Sequence, residues 1–177
     1  MTVEAEAFES AETRERAALL RREIEQPRWT NPPNVGIVFS SENWDQIEPL
    51  VNDLRYELTD HYNFSPINIK VTQTESIIDI PLYVNHFHHR SDIVFALGVM
   101  YRTSPDYEQR LVDLFTERIS ATSSPGRLPV FDCILVRDNQ KQLEAQLGVM
   151  ANAESSMASG WARRAIDAYM MLSKPAI

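Results

Sequence analysis

The chain has 177 residues, 44% of them hydrophobic, enough to bury the core of one domain with an appendage. Lys plus Arg number 17 against 25 Asp plus Glu, and the net charge of -8 argues against unaided binding to nucleic acid or to an anionic membrane surface. The lone Cys133 excludes a disulfide framework within one chain, no apolar stretch approaches the roughly 20 residues of a membrane span, and the acidic N-terminus lacks a signal-peptide pattern, so the expectation is a soluble, cytoplasmic protein.

In chain order, Ala11 to Gln26 carries Ala17, Leu20 and Ile24 at helical spacing among alternating Glu and Arg, the pattern of a solvated helix with a modest apolar edge. Pro27, Pro32 and Pro33 break it, so residues 1–33 read as a helical extension with a Pro-containing linker and residues 34–177 as the folded domain. Val35 to Phe39 is an apolar strand. Asp45 to Tyr62 sets Ile47, Leu50, Leu54 and Leu58 on one helical stripe, and Ile67 to Val71 alternates as a second strand. Ile80 to Phe87 is a helix with Pro81 in its first turn. Ile93 to Leu97 is a continuous apolar strand that Gly98 is expected to end, as a parallel strand covered on both faces would read. A helix over Tyr107 to Thr122, with Leu111, Leu114, Phe115 and Ile119 inward, leads through a turn to a strand over Val130 to Val136. Helices near Asp138 to Met150 and Met157 to Leu172 close the chain, the last with Trp161, Ala165, Ala168 and Leu172 as its apolar face. Strands alternating with helices imply a parallel sheet with right-handed crossovers, hence a three-layer α/β sandwich.

In an open parallel sheet, ligands bind beyond the carboxyl ends of the strands. The loop after the third strand holds Arg102, Thr103, Ser104, Pro105 and Asp106: a cation, two hydroxyls, and a helix-initiating Pro beside a carboxylate. There is no GxGxxG, Walker loop, GxSxG or CxxC, and only 5 glycines, so no nucleotide cradle and no cofactor are expected. His86, His88 and His89 are the one cluster of metal-ligand types. Positions 86 and 89 share a helix face while 88 points elsewhere, so the reading is a solvated helix end and no metal.

Val35 to Asn43 (VGIVFSSEN), Ile77 to Pro81 (IIDIP), Ala96 to Arg102 (ALGVMYR) and Leu128 to Gly148 (LPVFDCILVRDNQKQLEAQLG) together resemble the lumazine synthase family, in order, over residues 34–172, with one residue missing after Arg102. The resemblance implies a flavodoxin-like fold with a four-stranded parallel sheet, assembly as pentamers or icosahedral shells, and active sites between neighbouring subunits. It also implies a condensation of a ribityl-amino-pyrimidinedione with a butanone phosphate, which needs an aromatic platform, cations for the phosphate and a general acid/base.

Carried over position by position, the roles meet changed residues. The aromatic platform after the first strand falls on Glu42, with Trp44 close enough to stack instead. The acid of the second loop falls on Asp79, the catalytic histidine on Asp106, the aromatic of the fourth strand on Asp132, the phosphate-binding arginine on Gln146, and the last-loop lysine on Ser159. The phosphate cations are lost, and up to four carboxylates, Glu42, Asp79, Asp106 and Asp132, converge on the ancestral pocket, the reverse of what a sugar phosphate needs. Three readings follow. The first is a repurposed enzyme or binder of an amine-bearing or pterin-like or flavin-like molecule, with Asp106 or Asp132 as acid/base and Arg102, Ser104 and Asp79 positioning. The second is a non-catalytic homo-oligomeric subunit; the third is an active lumazine synthase drawing cations from Arg137 or Arg163.

Each residue also has a structural reading. Asp106 suits a helix's first turn; Asp132, interrupting an apolar strand, needs a partner or a wet cavity, and Arg102 is the partner at hand. Glu42 is a solvated strand-end acid, Trp44 a core anchor, and Cys133 a small buried hydrophobe.

Overall fold

Four parallel strands lie side by side in the order β2-β1-β3-β4: β1 is Val35–Ser40, β2 Ile69–Thr74, β3 Ile93–Tyr101 and β4 Val130–Arg137. The computed structural model describes residues 29–87, 90–102, 109–110, 112–113, 115–117, 129–150 and 156–173. The helices are α1 (Trp44–Tyr56, continued by a π turn over Glu57–His61), α2 (Ile80–Phe87, led in by a 3-10 turn over Ile77–Asp79), α3 (Gln140–Met150) and α4 (Met157–Leu172). Residues 109–110, 112–113 and 115–117 are helical, within the helix expected over 107–122, whose other residues lie outside those described.

Both layers follow from strand alternation. Val35, Ile37 and Phe39 of β1 and Ile93, Phe95, Leu97 and Val99 of β3 meet α1 and α4 through Ile47, Leu54, Trp161, Ala165 and Ile166. Val38, Val94 and Ala96 face the other way, onto Ile77, Ile80, Val84 and Phe87 of the α2 segment and onto Phe115. All six residues of β1 are buried, as a strand covered on both faces requires. The three-layer sandwich is therefore the one expected.

Four local expectations are corrected. The second strand begins at Ile69 rather than Ile67, because Pro66 opens a 3-10 turn over Pro66–Asn68; Ile67 is left exposed, and at the sheet edge so is Val71. Gly98 does not end β3. It pairs with Ile134 and the strand runs on to Tyr101; a side chain there would meet Ile134 Cδ1 at 2.9 Å and Ile77 Cγ1 at 3.0 Å, so the glycine answers to close packing. On α4 the buried stripe is Ala158, Trp161, Ala162, Ala165 and Ile166, while Leu172 is exposed and Ala168 half-buried, because the helix's last turn runs past the end of the core. Packing also reaches ahead of Asn34. The Trp29 indole Nε1–H donates to the Tyr62 carbonyl at 2.6 Å, and the ring meets Phe64 and Tyr169 edge-on at 5.2 and 6.2 Å.

Candidate functional site at the strand ends

The carboxyl ends of β1 and β2 are tied by a knot of hydroxyls. Ser41 N–H and Ser41 Oγ both donate to the Thr74 carbonyl, at 2.9 and 3.1 Å, and Thr74 Oγ1 donates to the Ser76 carbonyl at 2.8 Å. Ser40, fully buried, accepts from Glu42 N–H at 3.1 Å. Asn43 then takes a left-handed conformation (φ 57°), which Asn tolerates better than most residues, and its carbonyl accepts from Gln46 and Ile47 to start α1. Its side-chain Nδ2 donates to the Val99 carbonyl at 2.8 Å, fixing the first loop against β3.

That kink turns Glu42 back onto the next loop. Its Oε1 accepts from Ser76 Oγ at 3.1 Å and its Oε2 from Ile77 N–H at 3.3 Å, at the start of the turn that leads into α2. Glu42 thus caps this turn while remaining solvent-exposed, as a strand-end acid. Beside it, Gln73, Thr74, Glu75, Asp79 and Tyr83 line an open depression of about 450 Å³. Its wall is mainly polar and includes two carboxylates. Trp44 begins α1 with its ring 5.6 Å from that of Phe39 and is 39% exposed, so it is a core anchor on one side and open on the other.

Asp132 lies elsewhere. The register pairs it with Ala96, well below the rim of the sheet, on the outermost strand. It is solvent-exposed, and its Oδ1 accepts from Ile134 N–H at 2.9 Å. The protein around it raises its carboxyl above the usual range and the Ile134 N–H pulls part of that back; water at the exposed side chain screens what this does to stability. Arg102 is not its partner. Register sets Tyr101 beside Arg137, so Arg102 reaches Asp138, at 3.4 Å between two half-exposed side chains. Within one chain, the expected convergence of acids is thus not made among the described residues: Glu42 and Asp79 share a turn at the β1/β2 end, and Asp132 sits across the sheet.

Thr103, Ser104 and Asp106 lie outside the described residues, as do His88, His89 and the side chain of Gln146, which falls on α3. Ser159 is in the first turn of α4, where its N–H donates to the Ser156 Oγ cap at 3.0 Å. Cys133 is buried, and burial pushes its thiol up, leaving it without thiolate character. Among the described residues no group of His, Cys, Asp and Glu is arranged to hold a metal ion, and no helix is long and apolar enough to cross a membrane. Ser40, Asn43 and Ser76 build this site and were not singled out from sequence; the signal available was the run of hydroxyls and Asn directly after an apolar strand.

A family model described as 6,7-dimethyl-8-ribityllumazine synthase matches residues 32–173. A 6,7-dimethyl-8-ribityllumazine synthase of Mycolicibacterium paratuberculosis is 30% identical over 95 residues, 52% of this chain and 59% of that protein. One of Mycobacterium avium is 29% identical over 87 residues, 49% of this chain and 54% of that protein. The chain thus spans between half and two thirds of the length of these relatives. A human protein disulfide-isomerase A4 is 38% identical over 55 residues, but these are only 8% of that protein.

Proposed function

We propose a small-molecule role for this chain, which belongs to the 6,7-dimethyl-8-ribityllumazine synthase family: it binds or transforms an amine-bearing or heterocyclic, pterin-like or flavin-like molecule at the ends of its strands. The observation that carries this reading is the polar depression lined by Glu75 and Asp79, with Gln73, Thr74 and Tyr83; Trp44, 39% exposed, opens the helix after the neighbouring strand β1. Carboxylates suit an ammonium or ring N–H donor and repel a phosphate. In this reading Trp44 stacks the ring, Asp79 and Tyr83 orient its polar edge, and the acid/base is Asp106 or, since Asp132 lies across the sheet within one copy, Asp132 of a second copy. Arg102, Thr103, Ser104, Gln146 and Ser159 complete the binding residues. What speaks against an active lumazine synthase is that the resemblance aligns Gln146 and Ser159 with the family's cations.

Native mass spectrometry of protein from its source cells tests the proposal. The expected spectrum carries a retained small molecule that is lost in Trp44→Ala and weakened in Asp79→Asn. Protein that emerges without ligand, and whose melting no pterin, flavin or amine shifts, sinks it. Incubation with the two lumazine synthase substrates addresses the active-enzyme alternative, which a clean negative at high protein concentration removes.

Self-assembly belongs to the same proposal. Ile78 and Leu82, spaced four apart on the outer side of the α2 segment, are 52% and 71% exposed, an apolar pair suited to contact with a second copy. This is also the observation that favours a purely structural subunit, and the ligand search separates the two.

A further inference from the structure

Trp29 brings the chain onto the last turns of α4. Its ring stands edge-on to Tyr169 at 6.2 Å and its indole N–H is held by the Tyr62 carbonyl at 2.6 Å, so whatever precedes it starts from a fixed point. Leu172 lies one turn beyond Tyr169 on the same side of α4 and is 70% exposed, with Met171 next to it 77% exposed. Tyr169 and Met170 still pack on the core; Met171 and Leu172 carry the apolar run of the helix past it. The sequence ahead of Trp29 supplies a matching surface. Ala17, Leu20 and Ile24 fall on one edge of the helix expected over residues 11–26, which has no core of its own to bury them in. Pro27 stops that helix at or before Gln26 and sets a bend between it and Trp29. Ile24 is five residues from Trp29, a reach of up to about 17 Å, while Leu172 lies only about 4.5 Å of helix rise beyond Tyr169. A helix turning back at Pro27 therefore brings Ile24, then Leu20, to the end of α4. The short tether favours this occupant over a second copy, because it holds the segment at high effective concentration beside the pair.

We propose that residues 11–26 are an intramolecular clamp: a helix whose Leu20 and Ile24 edge seats on Met171 and Leu172 of the same chain, so the folded unit begins well ahead of residue 34. The family match starts at residue 32, which makes the clamp an addition to the shared domain. It is independent of what the strand ends bind.

Cysteine pairing in the full chain tests it. Ile24→Cys combined with Leu172→Cys is oxidised mildly and read by intact mass and gel; Cys133, buried with its thiol pushed up, stays silent. The expected product is a disulfide within one chain. It forms about tenfold faster, or more, than with Arg22→Cys in place of Ile24→Cys, since position 22 lies on the opposite side of that helix and shares only the tether. Equal rates at the two positions overturn the proposal, as do a disulfide only between copies and no disulfide at all. Thermal melting gives a second readout without new cysteines. Leu172→Gln and Ile24→Gln are each expected to melt about 3–6 °C below wild type, and the double variant no lower than the weaker single one. A Leu172→Gln protein within about 1–2 °C of wild type, the response of an uncovered surface residue, contradicts the clamp, and so do losses that add.

Discussion

At Asp132 the chain sets a carboxylate between Phe131 and Cys133, both on the face that meets α1 and α4. Alternation turns Asp132 to the opposite face, beside Val130 and Ile134, and the outermost place of β4 leaves it in water. There it accepts the N–H of Ile134, one of the backbone donors of an edge strand. A carboxyl raised in the folded state weakens the fold above its folded pKa, and that loss is recovered as pH falls through the folded pKa toward the unfolded value. Asp132→Asn keeps an acceptor oxygen and removes the charge. It is therefore expected to be neutral to slightly stabilising at pH 7, by less than about 0.5 kcal/mol given the solvent screening, with the difference from wild type vanishing in acid. Melting curves of both proteins from pH 7 down to the acid range check this; a variant clearly less stable than wild type at neutral pH would show that the charge is needed. The sequence marks Asp132 as out of place in an apolar strand. Its environment depends on sheet order, which no local pattern contains, and the same holds for Glu42, whose partners Ser76 and Ile77 are brought to it by the pairing of β1 with β2.

The elements themselves were legible where periodicity was strong: β1, α1 and α2 fall close to their expected spans and β3 starts where expected, because apolar runs and stripes are set by the surfaces they bury. Glycine misled at β3, where a strand end was expected and a packing contact was found. Gly36 is the companion case, with Phe87 Cγ and Cδ1 both 2.9 Å from where a side chain would start. A ring atom next to its own Cβ yields less easily than the tip of an isoleucine. Gly36→Ala is therefore expected to cost about 1–3 kcal/mol by pushing α2 off the sheet, and Gly98→Ala less, since Ile134 can swing its Cδ1 away. Denaturant unfolding of the two variants checks the order, and a Gly98→Ala protein less stable than Gly36→Ala contradicts it. Trp29 is the other element-scale surprise. A lone Trp among prolines carries no periodicity, so its docking on Phe64 and Tyr169 could not be read. Trp29→Ala should lose about 2 kcal/mol, measured the same way, and a loss under about 0.5 kcal/mol would show the contact to be incidental.

For the whole molecule, the parallel sheet and its two helix layers follow from the alternation of strands with helices, while the order β2-β1-β3-β4 is one of the few that right-handed crossovers leave open. The gathering of acids does not follow, because a single copy keeps Asp132 across the sheet from Glu42 and Asp79. Whether two copies bring such groups together depends on self-association, and the outer side of the α2 segment is where that can be tested without disturbing the core. Leu82 is 71% exposed, so its replacement by Asp removes little from a single folded chain, and the stability change of an isolated copy is expected within about 0.5 kcal/mol. Buried against a second copy, the same charge loses its water without a partner and the contact breaks. Leu82→Asp should therefore lower the mass seen by light scattering and native mass spectrometry while circular dichroism stays that of wild type. A variant that keeps the wild-type mass, or a wild type that is itself monomeric, removes the α2 face from the assembly.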